Sequence, residues 1–333
     1  MKEVVIKMES KKGIKKFFNQ KMITLLVLLA VVVATFSILS GGDFLKVANI
    51  RSILSLMAVS GLLTLGVGYL IISGHIDLST GAIGTLCGMV MSLFLQSGMP
   101  WPIAVIGCLL IGILIGALNA LLINVVGFQP FIATTAIASI AQGFTSIFCN
   151  GKSVPVRDEV ITYIGTGRIF NFIPVSILIM IAAFIIYGLI LSKTKFGRSV
   201  YLIGGNPQAA RLSGLRPVKL SYILFMNCGM LSAMAGMLLA GRLKAGSIGG
   251  TSSSQFTGIT AAMLGGISFG GGSGSFSGVF VGLLIITGFS NGLSVLGVVQ
   301  YWQTFASGVL LIFALTIDYF YNRRVIKKTS VGV

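Results

Sequence analysis

The sequence predicts an all-α, polytopic membrane protein with about ten transmembrane helices. Three observations carry that reading. Mean hydropathy is +0.99, with 55% hydrophobic and only 9% charged residues. A soluble chain of 333 residues could not hide that much apolar surface in one core. The apolar residues fall in repeated stretches of roughly 20, the length that crosses a bilayer. Those stretches are continuously apolar and do not alternate, which argues against a transmembrane β-barrel.

A basic segment, residues 1–21, precedes a membrane domain at 22–322, and a tail at 323–333 follows it. Within the domain the apolar runs lie near 22–40, 51–73, 81–97, 103–126, 130–148, 173–192, 219–241, 257–271, 274–291 and 301–320. The first is of spanning length, and it lacks the small-residue site of a cleaved signal. The eighth and ninth are short and rich in glycine. One of them is expected to be broken or re-entrant, which membranes tolerate only where protein or a wet cavity satisfies the backbone. Seven Lys and Arg precede the first run, six lie at 193–219 and four at 323–328. On the other side stand seven: Lys46, Arg51, Lys152, Arg157, Arg168, Arg242 and Lys244. The asymmetry places both termini and the 193–219 loop in the cytoplasm, with Trp101 and Trp302 at outer ends. The net charge of +17 is thus membrane-flanking, and nucleic acid is not an expected partner.

The segments Gly116–Leu121 and Gly288–Leu293 share G-x-x-N-x-L, the first on a run heading inward and the second on one heading outward. An offset of five runs is the logic of a 5+5 inverted repeat. Gly266, Gly270, Gly274, Gly278 and Gly282 recur every four residues, as do Gly112 and Gly116. On a helix this spacing lets backbones approach closely, while the triple glycine at 270–272 marks a turn between runs.

No motif for catalysis is present, and no cofactor or metal is expected. Gly151-Lys152-Ser153 ends like a P-loop, but Ser146 stands where the first glycine is required. His75 is the only histidine, so neither a metal cluster nor a Ser/His/Asp set is credible. Cys87, Cys108, Cys149 and Cys228 are scattered and read as small apolar packing residues. Polar chemistry concentrates in Ser73–Gly81, between the second and third runs. Asp77 there is expected to cap the start of the third run, with Ser79, Thr80 and Gly81 alongside. His75 reads as a hydrogen-bonded loop residue. Inside the runs, Asn119, Thr134, Gln142, Ser290, Asn291 and Gln303 need polar partners in lipid. They are candidates for a substrate pathway, with Phe131 and Trp302 as stacking surfaces. The competing reading is hydrogen bonding between helices.

These residues bring the chain close to a family. Ile72–Ser79 resembles an S-G-G-I-D-L-S signature, and Leu118–Ala120 through Pro130–Thr134 resembles an L-N-G…P-x-F-I-A-T region. Thr194–Arg198, Gly204-Gly205-Asn206-Pro207-Gln208-Ala209-Ala210 and Gly214 are similar to a cytoplasmic loop. Leu264–Gly266, Gly271–Gly272, Asn291–Leu293 and Asp318 fit a C-terminal pattern. The chain resembles the permease subunit of ribose-type bacterial ABC sugar importers, a group that includes xylose, galactoside and autoinducer-2 permeases. The resemblance implies a non-enzymatic subunit of the bacterial inner membrane. Its implied partners are an ABC ATPase, an extracytoplasmic sugar-binding protein, a second or homologous permease, and membrane lipid. It also implies that Gln208–Gly214 is the E-A-A-x-x-x-G coupling segment, with Gln in the Glu place, so that Ala209, Ala210 and Gly214 fit a groove on the ATPase. Two further departures are His75, where the family has Gly, and Phe256–Ala261, where it has an acidic segment. The alternatives are a nucleoside, amino-acid or signal-molecule permease of the same superfamily, and an ion-coupled secondary transporter, for which Asp77 would be the one intramembrane carboxylate.

Overall fold

The computed structural model describes residues 22–330, and the basic segment 1–21 and residues 331–333 lie outside it. All ten apolar runs form helices. They are α1 (Met22–Leu39), α2 (Val47–Ile72), α3 (Thr80–Gln96), α4 (Trp101–Leu121), α5 (Pro130–Phe148), α7 (Val175–Lys193), α10 (Pro217–Leu243), α11 (Ser252–Leu264), α12 (Phe276–Val295) and α13 (Gln300–Ser330). A five-residue π-helical turn, Leu122–Val126, extends α4. Pro at the first or second position opens α4, α5 and α10, where its missing N–H costs nothing. Two helices were not foreseen, α6 (Glu159–Thr166) and α8 (Lys195–Gly205), while a third, α9 (Pro207–Leu212), falls on the coupling segment. Two-residue strands pair as β1 (Val154–Pro155) with β4 (Ala245–Gly246), and β2 (Arg168–Ile169) with β3 (Ile173–Pro174), both antiparallel.

Seven of these helices are long and apolar enough to cross a membrane among the described residues. α3 and α11, at 17 and 13 residues, reach only about 25 and 20 Å, short of the roughly 30 Å hydrocarbon core. The eighth run is therefore displaced: its helix covers Ser252–Leu264, and Gly265–Ser275 is a loop carrying the triple glycine. The four-residue glycine series does not lie on one helix. Gly266, Gly270 and Gly274 fall in that loop, while Gly278 and Gly282 on α12 pack against Gly265 and Ala261 of α11.

Burial ranks the helices. The apolar stretch of α2 is 89% buried and that of α10 is 67%, against 28% for α4, α5 and α7. α2 and α10 are the central pair, and the others surround them. α10 meets its neighbours backbone to backbone. A Cβ on Gly236 would lie 1.7 Å from the Gly84 carbonyl oxygen of α3, and one on Gly229 would lie 2.0 Å from the Gly112 oxygen of α4. In lipid, where apolar surface gains nothing by leaving the solvent, such close approach supplies the packing that holds helices together. Around the pair, α3 and α11 are the two short helices, and each follows an irregular stretch after a central helix. This arrangement fits the 5+5 reading, in which the second and third runs correspond to the seventh and eighth.

Because the obstacle at Gly236 is backbone, no side chain can rotate to make room. Gly236→Ala should lower the yield of folded protein and its unfolding midpoint, with a cost of about 1–3 kcal/mol or more. Gly143→Ala on α5, where nothing lies within 4 Å, should match wild type. Detergent-solubilised size-exclusion profiles and thermal melts read both, and a wild-type melt for Gly236→Ala would contradict the contact.

Candidate functional site

Where α2 ends, the chain turns back into the bundle. Gly74 has φ +83°, a conformation that suits a residue without Cβ. Its N–H bonds to the Ile71 carbonyl at 3.0 Å and the His75 N–H to the Leu70 carbonyl at 2.9 Å, the paired bonds of a Schellman C-cap. His75 is held by Ser73 Oγ at 3.1 Å and packs edge-on against Phe225. Residues 75–79 then climb to the start of α3, halfway up α10, since Gly84 one turn on faces Ser232 and Gly236.

At that depth the backbone has to find partners within the protein. Asp77 is fully buried. Its Oδ1 accepts from the Ser79 N–H at 2.7 Å and from the Ser79 hydroxyl at 2.5 Å. Asn119 Nδ2 donates to Ser79 Oγ at 2.8 Å. Leu78 N–H reaches Thr134 Oγ1 at 3.1 Å, and Gly81 N–H reaches Gln255 Oε1 at 3.1 Å. Thr251 at the head of α11 donates to the Gly81 carbonyl at 2.7 Å. Gln142 donates to the Ile248 carbonyl at 2.8 Å and accepts from Ser252 Oγ at 3.4 Å. The N-termini of α3 and α11 thus meet in one buried polar layer. Asp77 does not cap α3 as expected: Ser79 occupies the N-cap position without a side-chain cap bond, and Asp77 closes the turn before it. Gln255 serves the helix N–H instead.

Thr134, Gln142 and the Asn119 amide nitrogen therefore bond inside this layer, while Asn119 Oδ1 is buried there without a partner. Phe131 is 61% exposed on the bundle surface, and Trp302 is 56% exposed against Phe305 and Tyr301. Asn291 and Gln303 do come together. They line a cavity of about 550 Å³ between α2, α11, α12 and α13. Ser290, Thr287, Thr257, Ser253 and Ser254 share its wall, with Leu56 and Phe256 as apolar faces. No charged side chain lines it. Asn291 Oδ1 and Thr287 Oγ1 are buried without a hydrogen-bond partner. The hydroxyls of α11 escaped the sequence reading because Ser252–Gln255 looks like a polar loop. A run of Ser, Ser, Ser and Gln directly before an apolar segment could have signalled a helix with a wet face.

The 193–219 loop contains α8 and α9. Thr194 Oγ1 caps α8 by accepting the Gly197 N–H at 3.2 Å, and Asn206 Oδ1 caps α9 by accepting from Gln208 and Ala209 at 3.1 and 3.0 Å. Gly214, at φ +80°, ends α9 with the same paired bonds seen at Gly74. Gln208, Ala209, Arg211 and Leu212 are exposed, Leu212 by 92%. Ala210 is not: it is 3% exposed and packs into the core cluster. The expectation that Ala210 presents itself to a partner is therefore corrected, and Leu212 is the outward apolar residue. Gly204 also faces inward. A Cβ on Gly204 would lie 1.8 Å from the Ile72 carbonyl oxygen, and Gly205 abuts Gly272. Tyr201 on α8 donates to the Gly274 carbonyl at 2.7 Å, and burial raises its pKa, which keeps the donor protonated.

The polar layer generates a prediction. Asp77→Ala removes the acceptor for two Ser79 donors and leaves them buried, which costs about 1–3 kcal/mol. Asp77→Asn keeps an acceptor oxygen and should retain most folded protein. Membrane levels and melts should rank wild type, then Asn, then Ala; equal levels in all three would remove the structural role.

The chain matches the family described as branched-chain amino acid transport system / permease component over residues 48–315. It is similar to the ribose import permease protein RbsC of Bacillus subtilis, 34% identical over 83% of this chain and 86% of that protein. It is also similar to the xylose transport system permease protein XylH of Haemophilus influenzae, 31% identical over 91% and 97%. The galactose/methyl galactoside import permease protein MglC of the same organism is 32% identical over 88% and 91%. No solved structure gives a significant match. With a family match across most of its length and a bundle of apolar helices around a buried polar layer, the chain belongs to this family of transport permeases and is a multi-pass membrane permease component.

Proposed function

We propose that the chain is the membrane subunit of an ATP-driven importer that passes a monosaccharide across the bacterial inner membrane. The observation that carries the reading is the uncharged cavity, whose wall carries the amides of Asn291 and Gln303 and the hydroxyls of Ser253, Thr257 and Ser290. A sugar hydroxyl both donates and accepts, which suits a wall of amides and hydroxyls. A cavity of this volume takes a single sugar with room for water. The relatives named for ribose, xylose and galactoside import support the substrate class. A zwitterionic amino acid would need opposed charges that this wall does not offer.

The proposal places α8, α9 and both termini in the cytoplasm, following the charge asymmetry. A separate ATPase docks on the exposed face of α9, formed by Gln208, Ala209, Arg211 and Leu212. An extracytoplasmic binding protein delivers the sugar at the opposite end. A second permease, identical or homologous, closes the cavity, because its hydroxyl- and amide-lined side would otherwise open towards lipid.

Two experiments test this. Uptake of a panel of labelled monosaccharides, with branched-chain amino acids as controls, should find a sugar. For that sugar Asn291→Leu should raise the apparent KM about fivefold, the value of one neutral hydrogen bond. Uptake of the amino acids alone would sink the substrate assignment. In the second, Leu212→Glu should leave permease levels unchanged while ATPase co-purification and uptake are lost. Uptake that persists without any ATPase would return the ion-coupled reading.

A further inference from the structure

At the end of the bundle opposite α8 and α9, a second cavity of about 440 Å³ lies between α2, α6, β2 and α10. Arg51, Arg168 and Arg242 all line it, with Ser52, Ser55 and Thr166. These are three of the seven basic residues that stand against the charge bias of the chain. Arginine disfavours that side unless something holds it there, and three guanidiniums on one cavity repel one another unless an anion intervenes. No carboxylate lines the cavity, and among the described residues the ion pair present is Lys46 with Asp43 at 2.6 Å. Asp158 instead caps α6 through the Ile161 N–H. Arg51 Nε is buried and makes no hydrogen bond. The Arg51 guanidinium is fixed over the Phe172 ring at 5.6 Å, which holds its plane in place.

The geometry points to an oxyanion site of the phosphate class in this cavity. A buried guanidinium nitrogen without an acceptor is a standing cost that an oxyanion removes. Each guanidinium carries five N–H donors in a planar fork, and a fork takes two oxygens at once. A carboxylate has two oxygens and satisfies one fork. A phosphate has three or four and is shared among several, while the serine and threonine hydroxyls complete its shell. The chemistry is common to inorganic phosphate and to the phosphodiester of an anionic lipid. Occupation would tie the start of α2 to α6 and α10.

The test uses the full-length permease in nanodiscs of zwitterionic lipid, melted with added inorganic phosphate, glutamate or chloride at matched ionic strength. Phosphate should raise the unfolding midpoint saturably, and glutamate and chloride should not. Arg168→Gln, at an exposed position that folding should tolerate, should raise the half-saturating concentration about tenfold, as expected for loss of a charge-assisted bond. Arg51→Lys keeps the charge and loses the fork, and should weaken the effect in the same direction. Repeating the titration in phosphatidylglycerol nanodiscs separates the sources. A higher starting midpoint with no further response to phosphate identifies the lipid headgroup, and an undiminished response identifies free phosphate. No saturable shift in either lipid, an equal shift with glutamate, or equal shifts in the variants would overturn the assignment.

Discussion

The structure depends on one constraint: a polypeptide that interrupts its helices at mid-depth in a membrane protein must satisfy every freed backbone group from within. Two interruptions occur, before α3 and before α11, and each supplies partners for the other. Gly81 is the shared point. Its N–H goes to Gln255 and its carbonyl receives Thr251, while Thr251 N–H returns to Thr85 Oγ1 at 3.0 Å. Neither helix start could exist in lipid alone, because each missing bond there costs several kcal/mol. The layer therefore forms only when both halves of the chain are present, which makes it a long-range contact that the adjacent apolar runs do not encode.

Around that layer, contacts are made by backbone more than by side chain. Such contacts have no side chain that can rotate to take up a shift, so they transmit displacement. At the α8 end, Gly204 and Gly205 meet Ile72 and Gly272, and Gly272 N–H bonds to the Ile72 carbonyl at 2.7 Å. The loop that carries α9 is in this way clamped to the end of α2 and to the loop that joins α11 to α12. α2 is the same helix that contributes Leu56 and Ser60 to the neutral cavity. On the proposed function, a displacement imposed at α9 passes through rigid backbone contacts to one cavity-lining helix and to the hinge between two others.

The ten helices were legible because lipid demands continuous apolar runs, and the number of those runs survived even where lengths did not. The shift of α11 has a physical cause. A helix that presents Ser253, Ser254 and Thr257 to a wet cavity loses the hydropathy by which a span is read, so its polar first turn looks like a loop. Among site residues, Asn291 and Gln303 reach the cavity, while Thr134 and Gln142 serve the backbone and Asn119 holds the Ser79 hydroxyl. Sequence cannot separate these two fates, since both require a polar residue in an apolar run, and only the partner across the bundle decides. Ala210 was misread for the opposite reason. Its neighbours in a six-residue helix are exposed, but the pitch of the helix turns this one residue towards the core.

The wall of the cavity also bears on selectivity. Phe256–Ala261 is where the chain departs from the acidic segment of the proteins it resembles, and Phe256 and Thr257 of that stretch face the cavity. Phe and Thr leave hydroxyl, amide and apolar surface, which discriminates by shape and hydrogen-bond count. On the proposed function, such a wall disfavours charged solutes by desolvation and admits a neutral sugar. Three arginines meet near the start of the same helix, where Arg51 of α2 shares the second cavity with Arg168 and Arg242. One central helix thus contributes to both cavities, Leu56 and Ser60 to the neutral one and Arg51, Ser52 and Ser55 to the arginine-lined one.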